Sequence, residues 1–387
     1  MTSSSAGLGQ VREQVGRALA DFLGRQQAVL AGIDEDLAPG LDAIRDLLAG
    51  GKRLRPAFCY WGWRAAGGSA PAGCPGHAES PDRADGGHIL TAAAALELLH
   101  VSALVHDDVM DGSETRRGRP AVHRRFAAHH AAGGWRGSAD SFGTGAAILL
   151  GDLLLGWTGE LFRASGLPAD ALRRGQPVLD AMRTEMIAGQ YLDLLGQATG
   201  TGTVASALRV VKYKSAKYTV EGPLLLGAAL APRPAGADAG AGAAGTAAGT
   251  DSRLAAACTA YGIPLGVAFQ LRDDVLGVFG DPAETGKPVT DDLREGKRTV
   301  LVALAQDRAD SAQASVLRRH LGDPRLDEAA AARVRGVLTE TGALAECEQM
   351  IRGSVREALA ALANAPFTSE AKTALAELAA TAVDRAD

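Results

Sequence analysis

Two acidic clusters interrupt an otherwise Ala- and Leu-rich chain of 387 residues. The first is His106-Asp107-Asp108-Val109-Met110-Asp111 and the second is Asp273-Asp274, with Gly277 and Asp281 downstream. Each is approached by an apolar stretch with helical patterning, Leu98-Leu99-His100-Val101 before the first and Ile263 to Leu271 before the second. Buried carboxylates repel one another and lose solvation, so such clusters need a compensating cation. Two facing sets of hard oxygen ligands suit Mg²⁺, which commonly holds substrate phosphates at the same time. The chain is therefore expected to fold as helices that bring the two clusters together around a metal and a diphosphate.

The remaining sequence fits an all-α chain. Val11, Val15, Leu19, Phe22 and Leu23 recur at helical spacing, and further helices are expected near 42–48, 88–111, 146–162, 169–195, 204–231 and 253–279. Gly133 to Gly145 reads as a loop, and Gly112 to Pro120 as a basic turn. Segments 67–87 and 231–251 are rich in Gly, Pro and Ala and are expected to be flexible insertions in one 387-residue domain. Hydrophobic residues make up 47% of the chain but aromatics only 4%, so the core is built mostly of Ala, Leu and Val. A net charge of −5 argues against a general nucleic-acid binder. No uninterrupted apolar run reaches membrane-spanning length, so no membrane span is expected. Cys59, Cys74, Cys258 and Cys347 show neither metal-ligand nor redox spacing, which suits reduced thiols in a cytoplasm.

Several basic and polar residues could complete a diphosphate site. Asp107 and Asp111 are four apart and share a helix face. Lys52, Arg53 and Arg55 follow Gly50-Gly51, and Arg116-Arg117 come soon after the first acidic cluster. Guanidinium groups grip phosphates through charge-assisted bonds, although basic runs are more often solvated surface. Lys214 and Ser215 precede Gly222-Pro223, where a proline can open the helix. Gln190 and Asp193 read as polar support, and His100, two turns before Asp107, as a core histidine in an apolar helix.

Taken together and in order, Gly51-Lys52-Arg53-Leu54-Arg55-Pro56, His100, the first acidic motif, Arg116-Arg117, Gly189-Gln190, Lys214-Ser215, Phe269-Gln270-Leu271-Arg272-Asp273-Asp274, Gly286-Lys287 and Lys297 resemble the trans-type polyprenyl diphosphate synthases, and within them the actinobacterial-type geranylgeranyl diphosphate synthases. The resemblance implies a single antiparallel helix bundle around a deep central cavity, working as a cytoplasmic homodimer. It implies that Asp107, Asp111 and Asp273 hold Mg²⁺, three ions per site, with Asp108 and Asp274 in support. It assigns Lys52, Arg55, His100 and Arg117 to isopentenyl diphosphate, and Arg116, Lys214, Ser215, Gln270, Lys287 and Lys297 to the allylic diphosphate. Ser102, Ala103 and Leu99 are implied to set chain length, and the small pair Ser102 and Ala103 points to a C20 product, with C15 or longer chains as alternatives. A terpene cyclase or an inert modulatory subunit are rival readings. The chain departs from the family pattern at Gly277, where a third acid is usual, and Asp281 is expected to compensate in part.

Overall fold

In the computed structural model, residues 3–68, 84–200, 202–233, 251–281 and 290–383 are described. The predicted insertions at 67–87 and 231–251, together with Cys74 and Lys287, lie largely or wholly outside them. The helices are α1 (Ser3–Ala31), α2 (Ala38–Leu48), α3 (Leu54–Ala65), α4 (Ala84–Asp111), α5 (Val122–Ala132), α6 (Ala139–Arg163), α7 (Ala169–Thr199), α8 (Val204–Val210), α9 (Gly222–Leu230), α10 (Ser252–Phe279), α11 (Asp291–Arg294), α12 (Val300–Arg308), α13 (Ser311–His320), α14 (Glu328–Glu340), α15 (Ala343–Asn364) and α16 (Ser369–Val383). The predicted basic turn is a two-residue hairpin pairing Arg116 with Arg119 and Thr115 with Pro120.

Cross-helix contacts fix an antiparallel bundle. Ser102 Oγ donates to Gly151 O at 2.8 Å, and His106 Nε2 meets Ile148 O at 3.2 Å, so α4 and α6 run in opposite directions. Lys214 reaches Asp193 and Lys217 reaches Glu185, which sets Val211–Glu221 antiparallel to α7. Ser215 bonds Gln270 and Thr259 bonds Glu221, which does the same for α10. A ring of α3, α4, α6, α7, Val211–Glu221 and α10 thus surrounds the interior, with α1, α2 and the C-terminal helices packed outside. Trp63, Phe22, Phe58 and Phe162 are fully buried among Leu and Ala side chains, and Phe22 meets Trp157 edge-on at 5.7 Å.

Three local outcomes differ from the sequence reading. Helix α6 begins at Ala139, within the predicted loop, because Ser138 accepts from Ser141 N and supplies the N-cap. Val211–Glu221 is a wide-turned π-helix, placed before Pro223, which has no N–H to continue the ordinary ladder. Among the described residues, Gly87–Asp111, Ala139–Arg163 and Ser252–Phe279 are each long and apolar enough to cross a membrane by length and mean hydropathy, although none is an uninterrupted apolar run. Their most apolar windows are 72%, 44% and 56% buried within the chain, so packing inside the bundle accounts for much of the hydropathy of the first and third. Cys59, Cys258 and Cys347 are buried free thiols.

Candidate active site

The C-terminal end of α4 brings the first acidic motif to the mouth of a cavity of about 1050 Å³. Asp107 accepts from Gln190 Nε2 at 3.1 Å and from Lys214 Nζ at 3.3 Å, and Arg116 approaches its other oxygen at 3.6 Å. Asp108 is buried and bonded by Arg116, whose Nε donates at 2.8 Å. Asp111 has a side chain only 1% exposed, 3.2 Å from Lys297 Nζ. Lys297 pairs with Asp111 Oδ2, and among the described residues no other hydrogen bond reaches either Asp111 oxygen. Burial and the neighbouring Asp107 charge raise the Asp111 pKa.

The second motif faces the first across this mouth. Asp273 and Asp274, on α10, both line the cavity. Asp274 accepts from Gln270 Nε2 at 2.7 Å, and burial pushes its carboxyl up to about 7. Gln270 in turn accepts from Ser215 Oγ. The π-helix makes this meeting possible, because its wide turns bring Lys214, Ser215, Tyr218 and Thr219 to the cavity wall. Gly189 and Gly266 let α7 and α10 press against it: a Cβ at Gly266 would sit 2.5 Å from Ala216 Cα, and one at Gly189 2.8 Å from Lys214 Cα. Lys214 also meets Asp193 Oδ2 at 2.6 Å, and its neighbouring carboxylates raise its pKa despite burial. Lys297 touches Asp111 and Asp292 at 3.2 Å and Glu295 at 2.7 Å, and the same kind of company holds its pKa well above the usual lysine value. Carboxylates at this side outnumber the cations that touch them, so the donor set fits Mg²⁺, and the buried Oδ1 of Asp111 lacks a hydrogen bond among the described residues. Among the described residues no three acid, thiol or imidazole groups converge to hold a metal ion.

A basic wall stands opposite. Arg55 donates to Thr219 Oγ1 at 3.0 Å and lies 4.2 Å from the Tyr218 ring centre. His100 Nδ1 is 2.6 Å from Tyr218 OH, and burial, then the Arg55 and Arg117 charges, hold its pKa well below the usual value. Arg117, at φ 54°, donates to Leu47 O at 2.8 Å; burial lowers its pKa. Lys52 is exposed at the rim, 3.4 Å from Thr381 O. Arg53, equally basic in sequence, is diverted into a buried ion pair with Glu97 at 2.6 Å.

Below the mouth the lining turns apolar, with Ala103, Leu104, Leu155, Met186 and Ile187. Two of the three implied chain-length residues sit elsewhere. Ser102 is turned toward α6, where it bonds Gly151 O, and Leu99 is fully buried beneath the lining. Only Ala103, on the Asp107 face of α4, reaches the cavity. Asp281 is exposed and does not line it. Tyr218, Thr219, Asp292 and Glu295 were not singled out in the sequence reading. Helical spacing from Lys214 signals Tyr218, whereas nothing local marks Asp292.

An all-helical bundle with two facing acidic motifs and a basic wall over an apolar cavity defines a prenyl-transferring diphosphate enzyme. The Polyprenyl synthetase family model matches residues 41–338, and the chain belongs to that family. It is 32% identical over 324 residues to geranylfarnesyl diphosphate synthase of Aeropyrum pernix, covering 82% of this chain and 85% of that one. It is 32% identical over 330 residues to geranylgeranyl diphosphate synthase of Mycobacterium tuberculosis, covering 81% and 79%. Its fold matches geranylgeranyl pyrophosphate synthase from Corynebacterium glutamicum, complexed with isoprenyl diphosphate and magnesium, with a TM-score of 0.85 and 37% identity over 98% of this chain and 99% of that one. The protein is a prenyltransferase.

Proposed function

We propose that the protein condenses isopentenyl diphosphate with allylic diphosphates (dimethylallyl, geranyl and farnesyl) to make all-trans geranylgeranyl diphosphate, C20. The observation that carries this is the pairing of two polar walls, acidic and basic, over one cavity with an apolar lining. A cyclase would not need the second, basic wall. Asp107, Asp111 and Asp273 would hold Mg²⁺, three ions per site, and the bound ions would neutralise charge on the departing diphosphate. Arg116, Lys214 and Lys297, which now meet Asp108, Asp107 and Asp111, would donate to that group as it leaves, with Ser215, Gln270 and Lys287 on the same side. Lys52, Arg55 and Arg117 would fix isopentenyl diphosphate, with His100 a neutral hydrogen-bonding partner beside them. The apolar lining below keeps water from the cationic allylic carbon.

A C25 product is the second reading, favoured by the small Ala103 and by the likeness to a geranylfarnesyl diphosphate synthase. Whole-chain action as a cytoplasmic homodimer belongs to the same proposal. Phe142, Leu149 and Ile148 on α6 and Ile187, Tyr191 and Leu195 on α7 are exposed apolar side chains for a second copy to cover. The test is one incubation of farnesyl diphosphate, isopentenyl diphosphate and Mg²⁺. A C20 product is expected, and a cyclic hydrocarbon or no product overturns the reading.

A further inference from the structure

Among the described residues, the guanidinium and ammonium side chains that line the cavity all hold a partner, with one exception. Arg53, Arg116, Lys214 and Lys297 meet carboxylates, Arg55 donates to Thr219, and Arg117 and Lys52 reach backbone oxygens of Leu47 and Thr381. The exception is Arg298. Its side chain lines the cavity and makes no hydrogen bond or ion pair among the described residues, and its Nε is buried. The backbone around it is held on both sides: Lys297 N donates to Asp292 O at 3.1 Å, and Thr299 caps α12 by accepting from Val302 N. The guanidinium lies against the end of α7, where a Cβ built on Gly200 would be 3.6 Å from Arg298 Nη2. That helix end offers partial negative charge but no carboxylate. Gln197, whose carbonyl accepts from Gly200 N, also has a buried Nε2 without an acceptor among the described residues. Burial lowers the Arg298 pKa with no acid opposing it, whereas Arg116 and Lys297 are raised by their carboxylates. A cation stripped of solvent and left unmatched favours an anion beside it.

We propose that Arg298 is the docking cation for the outer phosphate of the allylic diphosphate as it enters the mouth. Lys214 and Lys297 can turn to a diphosphate only by sharing or leaving their carboxylates, whereas Arg298 can take it by displacing solvent alone. A planar guanidinium suits two oxygens of one terminal phosphate. Its place next to Lys297 assigns it to the allylic side and not to the basic wall opposite. This inference rests on the synthase reading above.

Calorimetric titration of inorganic pyrophosphate in excess Mg²⁺, at low and high ionic strength, tests it without turnover. Arg298→Met keeps an unbranched stem and removes the charge. It is expected to weaken pyrophosphate binding about 10-fold and to flatten its salt dependence, with the melting temperature unchanged. In turnover, KM for farnesyl diphosphate should rise by a similar factor while kcat and KM for isopentenyl diphosphate hold. Arg298→Lys returns the charge and should recover much of the affinity. Wild-type pyrophosphate affinity in Arg298→Met, equal rises in KM for both substrates, or an Arg298→Lys variant that binds no better than Arg298→Met overturns the inference. Failure of the unsubstituted protein to bind pyrophosphate would instead overturn the synthase reading itself.

Discussion

At the scale of single residues, placement separates groups that look alike in sequence. Lys52, Arg53 and Arg55 form one basic run and all line the cavity, yet Arg53 is committed to a buried ion pair with Glu97, Arg55 bonds Thr219 over the Tyr218 ring, and Lys52 is exposed. Lys52→Ala and Arg55→Ala should each cost a charge-assisted contact of about 1.5–3 kcal/mol, raising KM for isopentenyl diphosphate roughly 10- to 100-fold with little change for the allylic substrate. Steady-state kinetics with each substrate varied in turn would show it; equal rises would move the basic wall to the wrong substrate. Ala103, beside Leu104, lines the apolar cavity one turn below Asp107, so Ala103→Phe should overfill it and shorten the main product to C15, read by chromatography of dephosphorylated products. His100 gives a pH signature. Its folded pKa lies well below the unfolded one, so the unfolded chain gains a proton first as pH falls through about 6.5, and stability drops there. His100→Gln should remove a slope of up to about 1.4 kcal/mol per pH unit from urea-unfolding free energies between pH 6.5 and 5.

At the scale of elements, the π-helix decides the site. Its position between α7 and α10 depends on Gly189 and Gly266, where a methyl group has no room. Gly266→Ala should destabilise the protein by about 1–3 kcal/mol through overpacking, and should shift Ser215 and Lys214 enough to raise KM for the allylic diphosphate. Urea unfolding and kinetics on the same sample check both halves. The acidic motifs were legible in sequence because their spacing is local and their flanks are apolar. The opening of the helix before Gly222-Pro223 was legible from the proline, but its extent over Val211–Glu221 was not, since no residue inside that segment marks a wide turn and its packing depends on Gly189 and Gly266 of other helices. The start of α6 was misplaced for a related reason: Gly143 and Gly145 suggest a loop, but the Ser138 cap and packing against α5 prevail. Asp292 was illegible because its place on the cavity wall, against Gly277 fifteen positions earlier and on another helix, is made by the fold and not by local spacing.

At the scale of the whole molecule, the side wall of the cavity is partly open. Ile148 of α6 and Ile187 and Tyr191 of α7 line it and are also 42%, 53% and 66% exposed. Under the homodimer proposal, the second copy finishes this wall, and the length of the prenyl chain becomes subject to mass action. Diluting the enzyme below its dimer dissociation constant should broaden a single product into a spread of lengths before activity disappears, because the two diphosphate walls belong to one chain while the exposed side of the hydrocarbon channel would be covered by the second copy. Product profiles taken across a dilution series, alongside sedimentation of the same samples, would show fidelity and association falling together. The protein's measuring device would then be a property of its concentration as well as of its sequence.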